Sequence, residues 1–420
     1  MITPTSIAVL VIVLVTLGLM LLRPGHLAEG WYALAGAVAT LLAGAVAPAE
    51  VPSLILETGD VLLFLLGMLA LTGIIERARL FDIIADLCAQ WSGGNGRLLF
   101  LFLYLFGAFV TTFLSLDVTV ILLTPIVLAL TARRNIDPVP FLFATVFVAN
   151  VVSLALPVSN LTNLLVYDGL GIEFRDFAAT MWWPNLVAAI SCLGMLFWLF
   201  GKRIPRRFGP PLPDLAPVSV ATPWTAFCGI VLALTLVTLV VLGGLGYPLW
   251  WASISGSAAL ALGAATRRRL TVAEIWRDLS PPVFLFLIGM TIVVAGFDRA
   301  WLDDRTVPLP ANDAAALALA AGLNALGSNV VNNVPMTLLS LGVIERAPGA
   351  ARELLTYGSL VGANIGPALT TYGSLATILW LTLCRRAGVR ITTRDYLRVS
   401  LAVVPVTLIV TTAVLHVTLR

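Results

Sequence analysis

Runs of about twenty apolar residues recur along the whole chain, and each is long enough to cross a lipid bilayer as one α-helix. Clear examples span residues 4–22, 30–48, 177–201, 223–243 and 398–418. Charged residues make up 11% of the sequence, less than half of the roughly 25% that soluble domains carry. These features predict an all-α polytopic membrane protein and argue against a soluble domain with buried core helices.

Basic residues are confined to one set of connecting segments, which indicates how the chain is oriented. Nineteen of the 25 Lys and Arg residues fall in one alternating set of segments, which includes "GKRIPRRFG" at 201–209 and residues 385–398. The positive-inside rule assigns that set to the cytoplasm. We therefore expect a multi-pass protein of the inner (plasma) membrane with its N- and C-termini outside. The net charge of +3 is an orientation signal and does not indicate nucleic-acid binding.

The alternation of charge divides the chain into two halves of opposite orientation. Residues 1–200 form an N-terminal repeat and residues 223–420 a C-terminal inverted repeat, each with about five crossings. A Pro- and Arg-rich cytoplasmic linker, 201–222, joins them. Each half also contains one long apolar stretch that returns to the side it left, which predicts a re-entrant hairpin followed by a broken helix. The hairpins are placed at about 98–131 and 311–342, and the broken helices at about 140–167 and 354–384.

Local sequence matches support an internal repeat. "LDVTVILLT" (116–124) aligns with "NNVPMTLLS" (332–340), which places Asp117 opposite Asn333. "SNLT" (159–162) aligns with "SLAT" (374–377) at nearly the same offset along the chain. Inverted repeats of this kind are typical of secondary transporters.

Polar residues cluster at the two predicted hairpin tips and the two predicted helix breaks. Non-helical backbone at membrane depth is tolerated only inside protein or beside a water-filled cavity, and transporters use such breaks to bind solutes. The alternative interpretation of any single polar residue is that it only hydrogen-bonds neighbouring helices together. The candidate substrate- and ion-binding residues are Asp117, Thr119, Asn150, Ser159, Asn160, Thr162, Asn332, Asn333, Thr337, Asn364, Ser374 and Thr377.

Asp117 is the one acidic residue well inside a predicted membrane segment. Intramembrane carboxylates are expensive and are commonly functional, often as proton carriers. We therefore predict that Asp117 couples transport to protons, although a structural Asp held by hairpin amides is the alternative. Its repeat counterpart, Asn333, cannot titrate.

The sequence gives no indication of an enzyme or of a cofactor. Lys202 is its only lysine, so it contains no G-x-x-x-x-G-K-[ST] phosphate-binding loop. The four cysteines are scattered without metal-ligand spacing, so no metal site is expected. The driving force must then be an ion gradient, or an ATPase supplied by another chain.

Five motifs are distinctive: "WSGGNGRLLF" (91–100), "ILLTPIVLAL" (121–130), "LPVSNLTNLL" (156–165), "NNVPMT" (332–337) and "IGPALTTYGSLATILWL" (365–381). Together they resemble the arsenite efflux permease family, the ArsB type, of the ion transporter superfamily. The resemblance runs from roughly residue 25 to the end. It implies export of arsenite and antimonite in exchange for protons, with a cytoplasmic ATPase subunit as an optional partner.

The resemblance also assigns family site residues to Asp117, to Asn332 and Asn333, and to Ser159 and Asn160. Three positions depart from the family pattern. Leu116 precedes Asp117 where the family often has Asn, and Asn364 and Ala368 stand where it often has Asp and Lys. The cavity is therefore expected to carry fewer charges.

Other functions remain open at this point. A sodium-coupled di- or tricarboxylate carrier would need a fixed cation or helix N-termini facing the substrate, and the membrane segments contain no deep Arg or Lys. A sodium/proton antiporter would rely on a single buried carboxylate. A channel or a membrane scaffold would not need the repeat and its polar breaks.

Overall fold

The computed structural model describes residues 3–210, 222–267, 280–302 and 310–420. All regular secondary structure in these ranges is helical, and nine of the described helices are long and apolar enough to span a membrane. The all-α polytopic fold class is therefore confirmed. Parts of the predicted linker (211–221), of a predicted basic loop (268–279) and of a predicted outer loop (303–309) lie outside the described residues.

Helices of the first half begin where the sequence offers caps. Thr3 accepts a hydrogen bond from the Ser6 amide, and Pro4 occupies the first helical position, where its missing N–H costs nothing. The helices are α1 (Pro4–Leu22), α2 (Glu29–Leu42), α3 (Val51–Glu57), α4 (Gly59–Arg77), α5 (Leu80–Trp91), α6 (Gly96–Phe113), α7 (Leu116–Arg133), α8 (Val139–Val151), α9 (Leu161–Gly169) and α10 (Phe174–Phe200). Helix α2 ends earlier than the apolar run 30–48 predicted, because Gly44 turns the chain at a φ of 71°.

The second half contains eight α-helices within the described residues. Its helices are α11 (Pro223–Gly244), α12 (Trp250–Thr266), α13 (Pro281–Phe297), α14 (Asp313–Val331), α15 (Asn333–Glu345), α16 (Gly349–Ile365), α17 (Leu375–Arg386) and α18 (Thr393–Thr418). Sequence analysis did not predict the short helices α3 and α5, which lie in segments expected to be loops.

Both predicted hairpins consist of two helices joined by a very short turn. Helices α6 and α7 meet at Leu114 and Ser115, and the Ser115 hydroxyl accepts a hydrogen bond from the Val118 amide to cap α7. Helices α14 and α15 meet at Asn332, whose φ is 75°. The tips fall where sequence analysis placed them, and re-entry from one membrane face remains a prediction.

Both predicted broken helices are interrupted by a single 3-10 turn that contains a proline. Helix α8 ends at Val151, a 3-10 turn spans Pro157–Ser159, and α9 begins at Leu161. Helix α16 runs directly into a 3-10 turn over Gly366–Leu369, and α17 begins at Leu375. Proline cannot donate the backbone hydrogen bond that would continue a helix, so both breaks follow from the sequence.

The two halves use the same close contact between their first two helices. A Cβ on Gly36 of α2 would lie 2.3 Å from Thr16 Oγ1 of α1. A Cβ on Gly256 of α12 would lie 2.1 Å from Thr235 Oγ1 of α11. The two glycines, and likewise the two threonines, are separated along the chain by nearly the same interval as the matched motifs.

A second matched contact joins the halves to each other. Gly67 of α4 lies against the backbone of Ser253 on α12, and Gly289 of α13 lies against the backbone of Ala33 on α2. These glycines and their partners are again separated by nearly that interval. The matched contacts support the predicted internal repeat, and its inverted orientation remains a prediction.

Because its helices approach so closely, the crossing of α4 and α12 should not tolerate a side chain at position 67. A Cβ there would lie 2.6 Å from the Ser253 carbonyl carbon and 2.7 Å from the Ile254 nitrogen. We expect Gly67→Val to destabilise the folded protein by about 1–3 kcal/mol or more, as overpacking does. The loss would appear as a lower thermal unfolding midpoint of the detergent-solubilised protein. Gly18→Val is the matched control, since no heavy atom lies within 4 Å of the added Cβ; equal midpoints for both variants would contradict the prediction.

Candidate transport site

Asn364 on α16 joins the two halves through side-chain hydrogen bonds in the buried centre of the molecule. Its Oδ1 accepts from Ser153 Oγ at 2.8 Å and from Asn160 Nδ2 at 2.6 Å. Its Nδ2 donates to Asn163 Oδ1 at 2.8 Å and to the Leu360 carbonyl at 2.7 Å. Every polar atom of the Asn364 amide is therefore used, as buried amides require.

Asn163 satisfies the backbone that the first helix break leaves without partners. Its Nδ2 donates to the carbonyls of Ser153 at 2.7 Å and Leu156 at 3.0 Å. Asn160 caps the following helix, because its Oδ1 accepts from the Thr162 amide at 3.2 Å. The "SNLTN" sequence thus supplies the hydrogen bonds that the irregular backbone needs.

Asn150 and Thr377 form a second connection between the halves. Asn150 Nδ2 donates to the Val146 carbonyl at 2.9 Å and lies 3.4 Å from Thr377 Oγ1. On the other side of the break, Ser374 Oγ accepts from the Thr377 amide at 3.3 Å and caps α17. Ser374 therefore has the same role in the second half that Asn160 has in the first.

One cavity of about 370 Å³ lies where the hairpin tips meet the helix breaks. Asp117, Asn160, Asn333 and Ser374 all line it. Each of these residues stands at or next to the first residue of α7, α9, α15 or α17, so four helices begin at the cavity wall. Helix N-termini carry free amide groups and partial positive charge. These four residues therefore offer neutral hydrogen-bonding groups together with one carboxylate.

The Asp117 carboxylate has no hydrogen-bond or ion-pair partner among the described residues. Its side chain is partly exposed, and the cavity wall around it includes Leu65, Leu69 and Ile121. An Asp in the first turn of a helix interacts favourably with the helix dipole. The carboxylate is thus positioned by α7 while its oxygens are free to bind a proton or a solute.

Arg23 and Glu29, which were not among the predicted site residues, also line this cavity. They form an ion pair, and their side chains retain 31% and 17% of their exposure. Burial lowers the pKa of the Arg23 guanidinium from its ordinary value, an effect that Tyr32 partly opposes. The group nevertheless stays charged, since arginine does not lose its proton in proteins.

Sequence analysis found no Arg or Lys deep in a membrane segment and did not anticipate that Arg23, at the end of α1, would place a cation in the cavity wall. Arg23 ends the first membrane helix, and in the sequence it cannot be distinguished from an orientation signal. Its position beside the hairpin tips depends on how α1 and α2 pack in three dimensions.

A smaller cavity of about 110 Å³ adjoins the first and shares Arg23 and Glu29 with it. Asn332 lines the smaller cavity, and its buried Oδ1 has no hydrogen-bond partner among the described residues. The neighbours Asn332 and Asn333 therefore face different cavities. The sequence alone could not have separated them.

The remaining predicted residues are buried beside the cavity. Their hydroxyls lie in the helices or breaks that frame it: Thr119, Ser159, Thr162 and Thr337. Ser159 donates to the Thr112 carbonyl at 2.7 Å, and Thr119 lies 2.8 Å from Thr111. Thr337 donates to the Asn333 carbonyl at 2.9 Å, whereas Thr162 Oγ1 has no partner among the described residues. Ser153 and Asn163 complete the network and were missed, although both lie in or beside motifs that sequence analysis had identified.

Comparisons with known proteins agree with this architecture. Residues 10–362 match the family described as citrate transporter. The arsenical pump membrane protein of Escherichia coli K12 is 30% identical over 415 residues, a match that covers 96% of this chain and 97% of that protein. The chain belongs to the arsenical pump family of the ion transporter superfamily.

Two further similarities show how far this arsenical pump family and its fold extend. A putative arsenical pump membrane protein of Bacillus subtilis is 23% identical over 433 residues and covers 96% of this chain and 97% of its own length. The crystal structure of the Alcanivorax borkumensis YdaH transporter superposes with a TM-score of 0.57 at 15% identity, covering 88% of this chain and 87% of that one. At that identity the likeness concerns the fold alone.

The Asn364 amide should contribute strongly to stability, because its removal leaves Ser153, Asn160 and Asn163 short of partners. We expect Asn364→Ala to cost about 1–3 kcal/mol, the usual penalty for buried unsatisfied groups. Thermal unfolding of the purified protein in detergent measures the loss. Asn324→Ala is a matched comparison, since Asn324 is equally buried and bonds Ser359 and Ser340 but lies away from this cavity. A wild-type unfolding midpoint for Asn364→Ala would show that the bridge between the halves adds nothing.

Proposed function

We propose that this chain is a secondary active transporter of the plasma membrane that exports arsenite and antimonite in exchange for protons by alternating access. The observation that carries the proposal is the cavity between the hairpin tips and helix breaks, which is lined by the Asp117 carboxylate without a partner among the described residues. The 30% identity to a protein named as an arsenical pump supports the choice of substrate.

The chemistry of the cavity suits an uncharged trihydroxide, which is the form of arsenite at neutral pH. Such a solute both donates and accepts hydrogen bonds, and the amides and hydroxyl of Asn160, Asn333 and Ser374 can do the same. None of the four cysteines lines the cavity, and all four are buried elsewhere. Recognition therefore proceeds through oxygen and nitrogen groups and not through thiolates.

Asp117 is the proposed proton carrier. In an exchanger, the proton and the solute occupy the site in turn, and each stabilises the state that can reorient. Outward movement would carry the metalloid, and the return would carry a proton on Asp117. Arg23 and Glu29 come from the loop assigned to the cytoplasm by charge, so the cavity is taken to be the cytoplasmic-facing site. No ATPase subunit is needed for this cycle, although one could be added to it.

Substitution of the carboxylate tests the proposal directly. In everted membrane vesicles without ATP, we expect an imposed pH gradient to drive arsenite accumulation by wild type. Asp117→Asn should reduce that accumulation to background, because an amide cannot carry the proton. Asp313→Asn, at an exposed helix start, is the control and should transport normally. Normal accumulation by Asp117→Asn would remove Asp117 from the mechanism.

A sodium-coupled carboxylate carrier is the second candidate, and two observations favour it. Four helix N-termini and the Arg23 guanidinium line the cavity, and a substrate carboxylate prefers such groups. The matched family is also described as citrate transporter.

Competition separates the two candidates. If arsenite is the substrate, excess citrate should leave arsenite accumulation unchanged, and sodium should not be required. Sodium-dependent uptake of labelled citrate, with no gradient-driven arsenite transport, would favour the carboxylate carrier instead.

A further inference from the structure

We propose that the Arg23–Glu29 ion pair sets the proton affinity of Asp117, with Glu29 holding Arg23 so that the cation does not keep Asp117 permanently ionised. This inference rests on the proposed proton exchange and adds two positioning residues to it. Neither residue belongs to the hairpin tips or the helix breaks.

The location of the pair is the first argument. Arg23 and Glu29 are the ionisable residues that share the lining of the 370 Å³ cavity with Asp117 among the described residues. The rest of the lining is apolar or neutral, and includes Leu116, Val283 and Phe286. Charges that share an apolar cavity interact more strongly than they would in water.

The second argument is the balance of charge. With Arg23 paired to Glu29, the two charges cancel, and the carboxylate of Asp117 is left without a counter-ion. A nearby cation favours the ionised form of a carboxylate, and a nearby anion favours the protonated form. Because the charges of Arg23 and Glu29 cancel, the ion pair favours neither the ionised nor the protonated form of Asp117. Asp117 can therefore gain and lose a proton.

Other charged groups that the structure describes on the surrounding helices do not line the cavity; on α4 they are Asp60, Glu76 and Arg77. Arg133, at the far end of α7, pairs with Asp86, and Arg385 and Arg386 stand at the C-terminal end of α17. Helices α4 and α13, which complete the wall, contribute Leu65, Leu69, Val283 and Phe286, none of which is charged. Among the described residues, Arg23 and Glu29 are therefore the charged groups that line the cavity together with Asp117.

Substitutions of Glu29 and of Arg23 should shift the protonation midpoint of Asp117 in opposite directions. Glu29→Gln releases Arg23, so Asp117 should stay ionised to lower pH. Arg23→Gln leaves Glu29 as an unpaired like charge, so Asp117 should hold its proton to higher pH. We expect the two midpoints to shift in opposite directions, because a cation favours the ionised carboxylate and an anion favours the protonated form. The double variant, with both charges removed, should return close to the wild-type midpoint.

Infrared difference spectroscopy of the purified protein in lipid measures this without substrate. The protonated-carboxyl band of Asp117 is identified as the band that is absent in Asp117→Asn. The readout is the pH at which this band has half of its full intensity. Glu50→Gln is the matched control, because Glu50 pairs with Arg299 at a site outside the cavity, and its midpoint should equal that of wild type. If Glu29→Gln does not fold, Glu29→Asp weakens the pair and should shift the midpoint in the same direction by less.

The outcomes separate this inference from the proposed function. Opposite shifts that cancel in the double variant support it. Unchanged midpoints in both single variants, or shifts in the same direction, overturn it even if wild type exports arsenite. Absence of gradient-driven transport by wild type would defeat the proposed function, whereas the spectroscopic midpoints would still report whether Arg23 and Glu29 control Asp117.

Discussion

Backbone groups that leave a helix at membrane depth must find partners inside the protein, and the rest of this structure depends on how that is done. In the first half, Asn163 donates to the carbonyls of Ser153 and Leu156 beside the break. In the second half, Asn329 donates to the Gly366 carbonyl at 2.8 Å and accepts from the Thr370 amide at 3.0 Å. One asparagine in each half thus supports a turn that water would otherwise have to solvate. With the breaks held in this way, four helices can begin at one cavity.

The asparagines that support the breaks also connect the halves. The same residues therefore stabilise the fold and form the cavity wall. Asn160 caps α9, lines the cavity and donates to Asn364. A change at this residue would alter the start of a helix, the bridge to the other half and the cavity wall together. The Asn324 cluster also combines an asparagine with hydroxyl groups, but it bonds Ser340 and Ser359 within the second half and lines a separate cavity of about 220 Å³. Polar residues in membrane segments therefore differ in role according to the groups they bond and the cavity they line.

Most of the fold could be predicted because its signals are local. The length of the apolar runs predicted the spanning helices, and Pro157 and Pro367 predicted the breaks. Short polar segments inside apolar stretches predicted the hairpins. The singular carboxylate, Asp117, was predicted for the same reason. Arg23 and Glu29 were missed because their approach to the cavity depends on the packing of α1 and α2 against α13. Asn163 was missed because its role is to bond backbone carbonyls, and carbonyl partners leave no trace in a sequence.

The glycine contacts have a consequence for which parts of the molecule can move as units. Gly67 joins α4 of the first half to α12 of the second, and Gly289 joins α13 of the second half to α2 of the first. The early helices of each half therefore contact those of the other half, backbone against backbone. A boundary drawn through the linker would separate the two halves along the chain but would cut through these contacts. Each half therefore packs within itself, as at Gly36 and Gly256, and also against the other half, so the contacts at Gly67 and Gly289 join the two polypeptide halves into one packed unit.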